Sequence, residues 1–310
     1  MSHAILFPGQ GSQSVGMGAE LFDAYPALLG TPADDVLGWS LRDMCLAGPE
    51  ETLTLTEHAQ PALYAVSYAL WSALAGAVNP PTAAAGHSLG EYTALASAGV
   101  LDYLDGLRLV AARGRAMMAA AASGEPSGMA ALIGGEAADA ERLAATRRTD
   151  GGRLWVANLN APGQVVVAGG LEDIEWAAGH AADHGIRRVV PLKVAGAFHS
   201  PLMEPAAVEL EAALQGVEFG EASFPVWSNS GARAYAGDYA SGLLAQLVSP
   251  VRFAESLASM TEAGVSSFVH VGPGDVTAGL AKRSVEGTEA FAVSSLDDIP
   301  AAAERLGAVA

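Results

Sequence analysis

The sequence predicts an α/β protein: an open, mostly parallel sheet with helices on both faces, carrying a smaller unit in its middle. Three observations lead there. Strand-like and helix-like segments alternate along the chain. Gly86-His87-Ser88-Leu89-Gly90 follows a small-residue run (Ala83, Ala84, Ala85) and precedes a helical pattern, which is the sequence of a tight strand-to-helix turn with a serine at its apex. Residues 124–193 have a rhythm of their own, β-α-β-β-α-β, which is the ferredoxin-like pattern.

Taken in order, His3 to Phe7 reads as a buried strand ended by Pro8-Gly9, followed by a small, polar turn over Gly9 to Gln13. Met17 to Leu29 reads as a helix. Pro61, at a favourable first-turn position, opens a strongly apolar helix to about Ala77, and Pro80-Pro81 ends that region. The serine turn follows, then helices over Leu89 to Ala98 and Leu101 to Ala122. In the middle unit, Met129–Ile133, Leu154–Ala157, Gln164–Ala168 and Arg188–Leu192 read as strands, with Asn158 to Gly163 joining the second and third. Glu136–Arg148 and Leu171–His184 read as its helices. Beyond Gly196, strands near Phe224–Trp227 and Ser267–Val271 continue the large sheet. The loops at Gln10 and Ser88 both follow strands, so they are expected at one sheet edge, where the sites of such folds lie.

Composition narrows the function classes. A chain of 310 residues, 51% hydrophobic and 16% charged, can bury a large core. A net charge of −18 argues against a nucleic-acid groove. No uninterrupted apolar run reaches membrane-spanning length, and Met1 to Phe7 lacks the basic start of a signal peptide. A cytoplasmic location is therefore expected, and the lone Cys45 fits it. Arg187, Arg188, Lys193, Lys282 and Arg283 are candidates for a local basic patch that meets an acidic partner, or for ordinary surface.

Ser88 invites two readings. It is a nucleophile exposed at a helix start, or, with Glu91, one half of a helix capping box. A serine nucleophile needs a base, usually histidine. Of the seven histidines, His3 is terminal, His58 falls in a polar loop, His87 should point away from its neighbour Ser88, and His270 sits in an apolar strand. His180 and His184 have a metal-pair spacing but no evident third ligand. His199 stands in a loop, Gly196-Ala197-Phe198-His199-Ser200, where the chain returns from the middle unit, and is the favoured base. Arg113 offers a guanidinium that can grip a carboxylate in bidentate fashion, although its spacing equally suits a surface arginine. Phosphate-binding glycine motifs are missing.

Seven motifs occur in order: Phe7–Gln13 (FPGQGSQ), Gly86–Glu91 (GHSLGE), Arg113-Gly114, Asn160–Gln164 (NAPGQ), Phe198–Ser200, Gln246-Leu247 with Pro250-Val251, and Val271–Gly274 (VGPG). Together, from Phe7 to about Arg283, they resemble the malonyl-CoA:acyl-carrier-protein transacylases of fatty acid and polyketide synthesis. The resemblance implies an α/β-hydrolase-like catalytic domain, residues 1–123 and 194–310, with a ferredoxin-like subdomain, 124–193, inserted. It implies Ser88 as nucleophile and His199 as base and then acid, with the main-chain carbonyl of Gln246 orienting the imidazole. The N–H groups of Gln10 and Leu89 would form the oxyanion hole, and Arg113 would hold the malonyl carboxylate. Phe198 would limit space at the α-carbon, and Gly196-Ala-Phe-His differs from the H-A-F-H of malonyl-selective relatives at its first position.

The implied substrates are malonyl-CoA and the phosphopantetheine thiol of an acyl carrier protein. No metal or redox cofactor, no nucleic acid and no membrane is expected, and the family suggests a monomer. Two alternatives stay open: a discrete polyketide-pathway acyltransferase with another acyl group or carrier, and a serine thioesterase or hydrolase. The latter usually adds an acidic third member, for which Asp173 and Asp183 are the candidates.

Overall fold

The computed structural model describes residues 2–307. Met1 and residues 308–310, the ends of the expected large domain, lie outside them. Two four-stranded sheets organise the chain. The first contains β1 (His3–Phe7), β2 (Ala83–Gly86), β7 (Ser267–Val271) and β8 (Glu289–Val293) in the order β2-β1-β7-β8, all parallel. The second contains β3 (Ser127–Ile133), β4 (Leu154–Ala161), β5 (Gln164–Gly170) and β6 (Arg188–Pro191) in the order β4-β5-β3-β6, all antiparallel.

The parallel sheet is covered on both faces, which explains its near-continuous apolar strands. Every residue of β1 is buried. Ile5 and Phe7 join one core with Leu70 and Trp71, while Ala4 and Leu6 join another with Phe253, Leu257 and Phe268. The antiparallel sheet has a core of its own, built from Leu132, Val165 and Val167 against Leu143 and Ile174 of its helices. Its edge strand β6 is short and largely exposed, with Pro191 and Arg188 at its ends. Phe7 pairs with Gly86, so the chain leaves β1 and β2 at the same edge. The loops carrying Gln10 and Ser88 start there side by side.

Several boundaries differ from expectation. The Met17–Leu29 segment is two helices, Ala19–Ala24 and Pro26–Leu29, because the residue before a proline is driven out of the helical region; Tyr25 has φ −127° and ψ 55°. The long apolar helix starts at Thr56 and runs to Ala75, so Pro61 lies inside it, and His58 lies on it with its ring 5.1 Å from that of Trp39. Phe224–Trp227 is not a strand: Pro225 has no N–H to donate, and the segment makes only isolated bridges, Val226 to Ala84 of β2 and Trp227 to Ala234. β4 extends through Asn158 to Ala161 by way of two register shifts, shrinking the expected connection to a turn. Within this extension Leu159 N donates to Val251 O (2.8 Å) and Val251 N to Ala157 O (2.9 Å), which ties the second sheet to the rest of the chain. No helix among the described residues is long and apolar enough to cross a membrane.

Candidate active site

The site begins with a turn that only glycine can flank. A Cβ on Gly86 would lie 1.8 Å from the carbonyl carbon of Gly90, and one on Gly90 would lie 2.3 Å from Phe7 O. β2 therefore passes directly into the helix Gly90–Ser97, and Ser88, between them, takes φ 51°. A non-glycine residue there carries strain of roughly 1–3 kcal/mol, and it persists only where the surroundings hold it. They do: Ser88 N donates to Asn229 Oδ1 (2.8 Å), whose Nδ2 donates to Gly86 O (2.7 Å).

Ser88 Oγ lies 2.8 Å from His199 Nε2. On its other side, His199 Nδ1 lies 2.9 Å from the main-chain oxygen of Gln246. A carbonyl can only accept, so Nδ1 carries the proton and Nε2 is free to accept the serine's. His199 is itself left-handed, φ 57°, and 4% exposed. Burial, and after it the charge of Arg113, pushes its pKa down to about 3, so the imidazole is neutral at physiological pH.

Arg113 comes from the helix Tyr103–Ser123 and is fully buried, which settles the surface alternative against it. Its guanidinium donates to Gln60 Oε1 (2.8 Å), Gln246 Oε1 (2.9 Å) and Ser88 Oγ (3.1 Å), and lies over the Tyr92 ring. The serine oxygen thus sits between an imidazole acceptor and a guanidinium donor. Gln246, on the helix Tyr239–Val248, uses its side chain as well as its carbonyl: Nε2 donates to Ser88 O (2.7 Å) and to Glu91 Oε2 (2.8 Å).

These groups open into a cleft of about 420 Å³ between the two sheets. Gln10, Ser88, Leu89, Arg113, Phe198 and His199 line it from the parallel-sheet side, and Met129, Asn160 and Val166 from the antiparallel sheet. Among the described residues no acceptor takes the N–H of Gln10 or of Leu89. The Gln10 side chain is tied back to Thr56 Oγ1 (3.2 Å). Lys193 and Arg283 stand on the cleft wall; Arg187, Arg188 and Lys282 do not.

Other sequence candidates fall elsewhere. His180 stacks on Trp176, and no group of three metal-binding side chains occurs among the described residues. His270 is a core residue bonded to Thr277 Oγ1 (2.6 Å). His87 does not simply turn away from the site: it lines the cleft and bonds Asn160 Oδ1 (2.7 Å). Asp173 pairs with Arg147 (2.6 Å) in the middle unit, and Asp183 is exposed.

The capping-box alternative for Ser88 and Glu91 is not what forms. The Glu91 carboxylate turns inward to Gln246 Nε2, Asn229 N (3.2 Å) and the Tyr235 hydroxyl. Burial lifts its carboxyl to about 7, against these donors, which pull it down. Sequence reasoning offered Glu91 only as a helix cap and a motif residue, and missed Gln60, Asn229 and Tyr235. Glu91 left one signal, as the only charged residue in the apolar helix Gly90–Ser97.

The acyl transferase domain family model matches residues 5–297. The chain is 40% identical over 307 residues to the malonyl CoA-acyl carrier protein transacylase of Bacillus subtilis, covering 98% of this chain and 96% of that one. It is 40% identical over 290 residues to the polyketide biosynthesis malonyl CoA-acyl carrier protein transacylase BaeC of Bacillus velezensis, covering 92% and 97%. Among solved structures, it superposes with a TM-score of 0.92 and 39% identity on PlMCAT:AntF, a type II polyketide synthase acyl carrier protein in complex with its malonyl-transacylase, covering 98% of this chain and 100% of that one.

Proposed function

The chain belongs to the acyl transferase domain family, and from that premise we propose that it moves a malonyl group from CoA to the phosphopantetheine thiol of an acyl carrier protein through an ester on Ser88. The observation that carries the reading is one oxygen with two neighbours: Ser88 Oγ, 2.8 Å from His199 Nε2 and 3.1 Å from the buried Arg113 guanidinium.

The reaction runs in two halves. As Ser88 Oγ attacks the thioester carbonyl, its proton passes to His199 Nε2. The carbonyl oxygen, now negative, is held by the N–H groups of Gln10 and Leu89. When the C–S bond breaks, the imidazolium returns its proton to the sulfur of CoA. In the second half the carrier's thiol gives its proton to His199, its sulfur attacks the seryl ester, and Ser88 recovers the proton as it leaves. The Gln246 carbonyl keeps Nδ1–H in place throughout, as the carboxylate of a triad would. Arg113 pairs with the malonyl carboxylate, and Phe198 bounds the space beside the α-carbon. An acetyl group leaves the buried Arg113 charge without a carboxylate partner, which disfavours it. The chemistry calls for no metal or redox cofactor.

We also read residues 124–193 as a ferredoxin-like insertion in an α/β-hydrolase-like domain; the strand order β4-β5-β3-β6 supports this. A polyketide-pathway carrier stays a second reading, favoured by the likeness to BaeC and to PlMCAT:AntF.

Mass spectrometry of the acyl-enzyme formed from a panel of acyl-CoAs tests the substrate. Malonyl is expected to dominate in the wild type, and Arg113→Ala to shift the preference toward neutral acyl groups by about tenfold or more. A dominant non-malonyl adduct would refute the assignment. An Arg113→Ala variant with full malonyl preference would refute the carboxylate clamp.

A further inference from the structure

Glu91 is fully buried and touches neither the hydroxyl of Ser88 nor His199, yet its partners reach both. Gln246 links it to His199 and to Ser88 O. Asn229, whose N–H it accepts, holds Ser88 N and Gly86 O on either side of the turn. Tyr235, half-buried at the outer side, donates to the remaining carboxylate oxygen.

The donor and acceptor roles in this cluster are forced. Glu91 Oε2 takes the Asn229 N–H and is therefore an acceptor, and a main-chain carbonyl only accepts, so the Gln246 amide must turn its NH2 toward Glu91 and Ser88 O. Its oxygen is then left facing Arg113, which only donates. Without an acceptor at position 91, the Gln246 amide has one reason fewer to hold that orientation. The reversed amide would set two donors, its NH2 and the Arg113 guanidinium, against each other beside Ser88 Oγ.

We propose that Glu91 is a positioning residue for acyl transfer: acting through Gln246 and Asn229, its buried carboxylate holds the strained Ser88 backbone, the carbonyl that orients His199, and the amide oxygen that receives Arg113. The inference rests on the acyl-transfer reading above and assigns a device to that same site.

Single-turnover acylation of Ser88 by malonyl-CoA tests it in three variants. Glu91→Leu keeps the size and removes the acceptor; its limiting rate is expected to fall on the order of 10- to 100-fold, with the half-saturating malonyl-CoA concentration shifted less than about threefold. Glu91→Gln can keep an oxygen toward Gln246 and Asn229 and turn its NH2 to the Tyr235 hydroxyl, so it is expected to recover most of the rate. Tyr235→Phe, a milder change at the outer side, is expected to slow the limiting rate by roughly threefold and serves if Glu91→Leu does not fold.

A folded Glu91→Leu acylating at the wild-type limiting rate would overturn the proposal. So would Glu91→Gln no faster than Glu91→Leu, or Tyr235→Phe unchanged where Glu91→Leu is unfolded. Failure of the wild type itself to take malonyl onto Ser88 would strike the acyl-transfer reading instead, which keeps the two failures apart.

Discussion

Ser88, His199 and Arg113 show how a few side chains set each other's charge. His199 is neutral because it is buried beside a cation, and a neutral imidazole is what a serine proton needs. The same fact has a consequence for stability. An unfolded histidine takes up a proton near pH 6.5, while the folded His199 declines it until about pH 3. Between those values the unfolded chain binds more protons, so this residue costs the fold about 1.4 kcal/mol per pH unit as the solution is acidified. Glu91 works the other way: its folded carboxyl, lifted from 4.5 to about 7, holds a proton that the unfolded chain releases, so its contribution is present in acid and fades toward pH 7. Urea unfolding of wild type and His199→Gln across pH 4 to 7 should therefore show the variant losing less stability on acidification. Parallel curves for the two proteins would contradict the buried neutral imidazole.

At the scale of elements, the strand-turn-helix around Ser88 was legible because sterics leave so little choice. A small strand, two glycines at fixed offsets and a following apolar helix have few other structures. Gly86→Ala is expected to cost roughly 3 kcal/mol, since its Cβ would meet backbone rather than a movable side chain, and to lower acylation of Ser88 with it. Chemical denaturation measures the first, and a variant within about 0.5 kcal/mol of wild type would contradict the close approach. Less legible were elements whose limits depend on tertiary contacts. Pro61 reads as a helix opener, but the helix gains another turn ahead of it where Thr56 and Ala59 are buried. Phe224–Trp227 has the apolar content of a strand, yet with Pro225 inside it makes only two isolated bridges, to Ala84 and to Ala234. The register shifts that lengthen β4 past Val156 leave no mark in composition or period.

Across the whole molecule, the cleft lies between two sheets that share one core through Met129, Ala157, Val166 and Ala168, and it draws residues from positions 10, 88, 113 and 199 into one wall. Local pattern placed Ser88 and made His199 the favoured base, because one marks a turn and the other the return from the inserted unit. Arg113 was ambiguous from its spacing: nothing local distinguishes a buried arginine from a surface one when its partners, Gln60 and Gln246, are 53 and 133 residues away. Asn229 and Tyr235 were invisible for the same reason. A buried polar network is specified by three-dimensional donor and acceptor matching, which one-dimensional periodicity does not carry. Against a net charge of −18, Lys193 and Arg283 are the cations that join the buried Arg113 on the cleft wall.

The covalent ester is the point on which this account turns. Brief incubation with malonyl-CoA, followed by digestion and peptide mass mapping, locates the adduct, and addition of phosphopantetheinylated carrier protein then reveals whether it moves. The malonyl group is expected on Ser88, absent from Ser88→Ala, and discharged onto the carrier thiol. An adduct on another residue, or one that persists in Ser88→Ala, would contradict the account.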